Sequence, residues 1–383
     1  MCHNFYLVKD KVLLLPTSHR RRILIIADPL DNQRGGVHIV LRELLRELHE
    51  INNPAFEYIL LRGHDDGQYP NFRTITLKQY KIVGYASLRL FFRIPFVARR
   101  EQCDAVFEPA HFGPFNLPRR IKRVTFIHDM TPILYPHYHT FNGWFLQRLF
   151  LRRILRMTDL ILTNSENSKK DIINYDARFT DKTVVNYLGL RTLEHTDIPA
   201  DDDSPYFFSL GTLEPRKNMI TLIRAFEQVC QHDARVKLLI AGASGWKFDE
   251  TQELLTVSSI KDRIVLLDYI SDDEIAGYMR GCAAFVYPSI YEGFGLPVLE
   301  ALSQRAICIV GNNSCMPEVF QDKALYFDTL DMTDLATTMQ YSLTEGAAIK
   351  QRLHKGLDNF LDGYSWKKHA DRFEVSLAKL IDE

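Results

Sequence analysis

The chain has 383 residues, 46% of them hydrophobic, and a formal net charge of −1. That length exceeds one ordinary domain, and that apolar content is enough for two cores, so a single-domain chain is excluded and two domains are expected. No stretch approaches the apolar length of a spanning helix, and the amino end lacks the continuous apolar core of a signal peptide. A cytoplasmic protein is expected, soluble or peripheral on the membrane face.

The near-zero net charge conceals two opposite halves. Residues 1–195 hold 29 Lys and Arg against 19 Asp and Glu, whereas residues 196–383 hold 18 against 29. Positive charge gathers in YASLRLFFRIPFVARR (85–100), LPRRIKR (117–123) and FNGWFLQRLFLRRILR (141–156), always mixed with aromatic or aliphatic residues. Two readings fit this pattern: contact with an anionic membrane, or ordinary domain helices with Arg on the outer face. Nucleic acid explains it less well, because no nucleic-acid module accompanies the charge.

Taken in chain order, apolar runs such as RRILIIAD, FEYILLR, AVFEPA, RVTFIHD and DLILTNS alternate with helical stretches up to about residue 190. This alternation is the signature of an α/β domain. Within DNQRGGVHIVLRELLREL, Gly35 and Gly36 stand between strand and helix; they allow a close approach of backbone to a donor phosphate or the acceptor, and a plain tight turn accounts for them almost as well. His128 ends the run VTFIH with Asp129 beside it, a pair that in isolation is more often structural.

Residues 196–205, within HTDIPADDDSP, are acidic and weakly apolar and read as a linker; Asp201, Asp202 and Asp203 are read as solvated rather than as metal ligands. The alternation then resumes with YFFSLG, KLLIAG, IVLLDY and AAFVYP. In FFSLGTLEPRKNMITLIRAF a strand ends at Gly211, and Arg216 and Lys217 follow at its carboxyl edge, where a guanidinium and an ammonium can hold phosphate oxygens from two directions.

YEGFGLPVLEAL (291–302) carries the strongest chemistry. Gly293 and Gly295 permit a tight turn and Pro297 suits the first turn of a helix, so the amides of Phe294, Gly295 and Leu296 are placed to hold an anion. A carboxylate facing that anion would be repelled, so Glu292 on the loop and Glu300 about one turn into the helix are expected to face hydroxyl groups. The scattered Cys2, Cys103, Cys230, Cys282, Cys308 and Cys315 have no Cys-x-x-Cys spacing, so packed, reduced thiols are expected and no metal site is. SWKKHADRFEVSLAKLI (365–381) reads as a terminal amphipathic helix.

Together HDMTPILYP (128–136), TNSENSKKDI (163–172), GTLEPRKN (211–218), IAGASGW (240–246) and the Glu292-x7-Glu300 block resemble the retaining, nucleotide-sugar-dependent glycosyltransferases of the family 4, or group 1, type. The spacing is similar to the branch that builds mannose- or deoxyhexose-containing surface polysaccharides. The resemblance implies the GT-B fold: two Rossmann-like domains facing a cleft, with the last helix crossing back to the first. On this reading 1–195 binds the acceptor, 196–205 links, 206–363 binds the nucleotide sugar, and 364–383 returns.

The same resemblance assigns roles. Glu300 would bind the ribose hydroxyls and Glu292 a hydroxyl of the transferred sugar, the amides of 294–296 the diphosphate, Arg216 and Lys217 the departing nucleotide diphosphate, and His128 the sugar near the acceptor. It implies no cofactor and no obligatory metal, GDP-mannose as the favoured donor with a UDP-sugar as the alternative, and a glycan or lipid-linked acceptor. No paired carboxyl nucleophile of the glycosidase kind is evident, so the implied mechanism is a front-face displacement assisted by the leaving phosphate.

Two other enzyme classes fit the residues less well. A nucleotide-sugar epimerase needs acid and base residues on both sides of the sugar, and a nicotinamide dehydrogenase needs Gly-x-Gly-x-x-Gly where this chain has GASGW. A GT-B scaffold without catalysis stays open on one departure: Arg305 and Ile307 stand where the resembled pattern has Gly and Pro. A left-handed backbone at the missing glycine costs about 1 kcal/mol, a matter of stability more than of catalysis.

Overall fold

Strands apolar at consecutive positions need cover on both faces, and a parallel sheet between helical layers supplies it. A computed structural model describes residues 5–8, 11–14, 20–32, 35–80, 85–111, 113–114, 116–139, 141–194, 204–243, 245 and 249–382. Most of the expected linker, Asp201 to Asp203 included, falls outside them. The chain divides into two units, one of Met1–Met130, Phe145–Gly189 and Ser365–Glu383, the other of Thr131–Trp144 and Leu190–Tyr364.

A short antiparallel hairpin, β1 (Phe5–Val8) with β2 (Lys11–Leu14), precedes the first sheet. That sheet consists of β3 (Arg21–Ile26), β4 (Phe56–Arg62), β5 (Arg73–Thr76), β6 (Ala105–Glu108), β7 (Lys122–Ile127), β8 (Leu160–Thr163) and β9 (Thr183–Val185). Its strands are parallel in the order β5-β4-β3-β6-β7-β8-β9. The order reverses between β3 and β6, so the loops leaving these strands diverge and open a crevice at their carboxyl ends.

The second unit repeats the plan. Its strands β10 (Tyr206–Leu210), β11 (Lys237–Ala241), β12 (Ile264–Leu266), β13 (Ala284–Tyr287), β14 (Cys308–Gly311) and β15 (Leu325–Phe327) are parallel in the order β12-β11-β10-β13-β14-β15. The reversal falls between β10 and β13, where Phe207 lies opposite Ala284 and Phe208 opposite Phe285. The two strands that lead into GTLEPRKN and YEGFGLP are therefore neighbours, although about 75 residues apart in the chain.

Each sheet has its own core. Phe207, Leu238, Ile240, Val286 and Ile309 pack with Leu222 and Phe226 of the helix Met219–Val229 and Met339 of the helix Met332–Thr344. In the first unit Leu24, Ile26, Ile59 and Val106 pack with Ile94 and Val97 of the helix Ile94–Arg100. Fully burying such a side chain contributes about 1.5–3 kcal/mol.

The terminal helix Trp366–Asp382 belongs to the first unit. Phe373 meets Phe107 edge-on at 4.8 Å, Glu374 accepts from Tyr58 Oη and Asn53 Nδ2, both at 2.7 Å, and Asp382 pairs with the buried Arg21. These contacts return the chain's end to the domain where it began.

The helix Leu296–Ser303 ends on Gln304, and Arg305 follows at φ +63°. That is the left-handed backbone at which the family pattern has glycine, so the departure costs about 1 kcal/mol of strain. The Arg305 guanidinium pairs with Asp358, and Ile307 is buried in the second core, so both departures are absorbed by packing.

Candidate active site

In the second unit the loop after β10 folds tightly against the loop after β11. A Cβ placed on Gly242, at φ +143°, would lie 2.1 Å from the Gly211 carbonyl oxygen, so only glycine lets these turns touch. The Lys217 side chain packs over Gly211, its Cε 3.4 Å from the position of an added Cβ, an ordinary van der Waals contact. A short 3-10 turn, Pro215–Lys217, then presents both cations, and Asn218 closes it in the left-handed conformation. The Asn218 side chain donates to the Pro288 and Thr329 carbonyls at 3.2 and 3.0 Å, which ties this turn to the end of β13.

The loop after β13 supplies the acids and the turn. Gly295, at φ +89°, precedes the helix Leu296–Ser303, with Pro297 in its first turn and no side-chain cap. Gly293 and Phe294 are buried beside it. The amides of Gly293, Gly295 and Leu296 have no acceptor among the described residues. Unpaired donors at a helix start form an anion site.

Glu292 is buried and stands between the two cations. Its Oε2 lies 2.9 Å from Arg216 Nη1 and its Oε1 2.6 Å from Lys217 Nζ, while its amide donates to Ser314 Oγ at 3.1 Å. Burial alone would push this carboxyl up; Arg216 and Lys217 overcome that and hold it at about 2. Lys217 is lowered by burial, partly offset by Glu292, and also donates to Tyr287 Oη at 2.6 Å. Arg216 is shared further, donating to Glu214 Oε1 at 2.7 Å and to the Tyr291 carbonyl at 2.8 Å.

Glu300, also buried, accepts from Arg191 Nε at 3.0 Å, and Arg191 bridges on to Asp272. Burial opposes the Arg191 charge, but Glu300 and Asp272 outweigh it and raise its pKa. Arg191, Glu214, Tyr287 and Ser314 were not singled out in the sequence. Arg191, Tyr287 and Ser314 matter through Glu300, Lys217 and Glu292, which lie 109, 70 and 22 residues away, so no local signal marks them; Glu214 pairs with Arg216 only two residues on.

Gly211, Arg216, Lys217, Glu292, Gly293, Phe294, Gly295, Leu296 and Glu300 are thus gathered at the switch point of the second sheet. Arg216 and Lys217 converge on Glu292 rather than standing apart from it. The remaining candidates belong to the first unit. Gly35, at φ +74°, and Gly36 are exposed at the start of the helix Gly35–Ile51, with nothing within 4 Å of an added Cβ. His128 follows β7; its Nε2 donates to the Pro109 carbonyl at 2.8 Å, and its pKa is pushed down to about 4 by burial and by the neighbouring His111. Nearby, Glu108 closes β6, and burial raises its carboxyl to about 8. Among the described residues no group of three or more His, Cys, Asp and Glu could hold a metal ion.

Two parallel α/β units, each with a strand-order reversal, are the architecture of the GT-B glycosyltransferases. Residues 34–192 match Glycosyltransferase Family 4 and residues 191–356 match Glycosyl transferases group 1. The O-antigen chain mannosyltransferase B of Escherichia coli is 30% identical over 70% of this chain and 73% of its own length. The serotype-specific mannosyltransferase WbdA of Escherichia coli is 30% identical over 92% of this chain and 46% of its own length, so the chain spans about half of that relative. Sucrose-phosphate synthase from Thermosynechococcus elongatus shares the fold with a TM-score of 0.76 at 18% identity, over 95% of this chain and 100% of that one. The chain belongs to the group 1, family 4 glycosyltransferases and is a hexosyltransferase.

Proposed function

We propose that this enzyme moves mannose, with retention, from GDP-mannose to a glycan or lipid-linked oligosaccharide during surface polysaccharide synthesis. The observation that carries the reading is the convergence of Arg216 and Lys217 on Glu292 beside unpaired amides at a helix start. A diphosphate seated on those amides stabilises the helix start and draws on the same two cations. Charge developing on the leaving phosphate then meets fixed donors, and catalysis is positioning plus electrostatic stabilisation. Glu292 orients a sugar hydroxyl, Glu300 the ribose, and His128 a hydroxyl near the acceptor. The leaving phosphate takes the acceptor proton, so no carboxyl nucleophile is required. The mannosyltransferase names of the relatives support the sugar, and a UDP-sugar is the competing donor.

A thermal-shift screen of GDP, UDP and their sugars, followed by transfer assays, tests this. The favoured nucleotide at a hundred times its Kd should add about 2.7 kcal/mol of stability. Binding of UDP-glucose alone, with no response to GDP-mannose, would overturn the donor assignment.

The acceptor is proposed to be presented at an anionic membrane. Five of the seven exposed large apolar side chains described in the first unit lie on two helical stretches: Leu88, Phe92 and Phe96 on 85–100, and Phe145 and Leu149 on Phe141–Met157. Phe92 and Phe96 are 62% and 63% exposed. Exposed Arg93, Arg99, Arg100, Arg148 and Arg156 accompany them, and neither stretch holds an acidic residue. Each basic residue near an anionic surface contributes about 1 kcal/mol. The protein should therefore sediment with phosphatidylglycerol vesicles and be released by salt; equal retention on neutral vesicles would refute the electrostatic contact.

A further inference from the structure

The carboxyl edge of the first sheet contains a second histidine whose geometry bears on His128. His111 sits in the left-handed region at φ +70°, a conformation that costs a non-glycine residue about 1 kcal/mol or more. Such strain persists only where surrounding contacts over-determine it, and it concentrates at functional sites. Two hydrogen bonds hold His111 here, and a third fixes the ring of its partner His128. The His111 amide donates to the Phe126 carbonyl at 3.4 Å, the His128 amide donates to His111 Nε2 at 3.0 Å, and His128 Nε2 donates to the Pro109 carbonyl at 2.8 Å. The two imidazoles stack, with centroids 5.8 Å apart and planes 27° from parallel.

These bonds determine where the ring protons are. A carbonyl only accepts, so His128 carries its proton on Nε2 and its Nδ1 is a lone pair. An amide only donates, so His111 Nε2 is unprotonated and the proton of the neutral ring is on Nδ1. Nδ1 of His128 makes no hydrogen bond to a described residue.

We propose that His111 is the positioning residue of this edge: it fixes the His128 backbone and, with the Pro109 carbonyl, presents His128 Nδ1 as an acceptor for a substrate hydroxyl. The inference rests on the reading of His128 as a sugar-contacting residue. Protonating His111 Nε2 abolishes its acceptor, so the arrangement holds only while that ring is neutral. The titratable groups facing the pair are Asp129, which favours protonation of both rings, and His369 of the terminal helix, which disfavours protonation of His128. Burial lowers His111 from its ordinary value of 6.5 and keeps it neutral at pH 7.

The test compares the full chain with His111→Leu and His111→Gln, whose amide oxygen reaches about as far as Nε2. Misplacing a contact group by about 1 Å costs on the order of 10²-fold in rate, so His111→Leu should lower kcat with GDP-mannose by about that factor and KM by much less. His111→Gln should recover most of the loss, and the acid limb of the wild-type pH–rate profile below 6.5 should move. Imidazole 15N spectra should show one Nε2–H form of His128 in the wild type and His111→Gln, and a mixture in His111→Leu. A folded His111→Leu with wild-type kcat and an unchanged His128 tautomer overturns the proposal, as does a folded His111→Gln no better than His111→Leu. If wild type turns over no nucleotide sugar, the reaction reading fails, and the tautomer spectra still decide the role of His111.

Discussion

Arg216→Ala should lower kcat by about 10²–10³ at saturating donor, the loss seen when one donor to a developing oxyanion is removed. The argument rests on what Arg216 touches. Its guanidinium spans Glu214, Glu292 and the Tyr291 carbonyl, so it is held rigidly beside the helix start at Leu296. Rigid charge stabilises a leaving phosphate without reorganisation at the moment of reaction. Lys217 still neutralises Glu292 in the variant, which limits the accompanying loss of stability. Arg216→Lys should rescue little, because an ammonium cannot reproduce three planar contacts. Steady-state transfer from GDP-mannose measures the effect, and a near-normal rate would remove Arg216 from the catalytic machinery.

Glu292→Ala should cost about 3–5 kcal/mol of folding stability, because it removes the carboxylate that the buried Lys217 and Arg216 share. The expected pH dependence follows from the direction of the shift. The carboxyl is held at about 2 against an ordinary value of 4.5, so the folded state binds its proton less readily than the unfolded chain. Its contribution is fully present above pH 4.5 and is lost as pH falls toward 2. Urea unfolding of wild type and Glu292→Gln should differ most above pH 4.5 and converge below it. A difference that stays constant across that window would show that Glu292 is not stabilised as an ion.

Much of the site was legible in the order of residues because its signals are local. The turn before Leu296 needs Gly293, Gly295 and Pro297 within a few positions, and backbone conformation is governed by near neighbours. Buried parallel strands announce themselves as unbroken apolar runs, which is why AVFEPA, VTFIH, FFSLG and AAFVYP all became strands or strand ends. The spacing from Glu292 to Glu300 placed one acid on the loop and one on the helix, as the structure has it.

Partnership was not legible. The expectation that the two acids face hydroxyls and the two cations face phosphate treated each group singly, yet Lys217 and Arg216 close on Glu292, and Arg191 closes on Glu300. Charges brought together in a poorly solvated crevice must pair, and which ones meet depends on the strand order that makes β10 and β13 neighbours. The same holds for His111, whose strained backbone and acceptor role exist only because the ends of β6 and β7 lie side by side. Residue order alone was enough for the strands, the glycine turn and the family. Which charges neutralise one another, and which nitrogen of His128 keeps its proton, was settled by long-range packing, because Coulomb attraction and hydrogen bonding act on distance in space and not on separation along the chain.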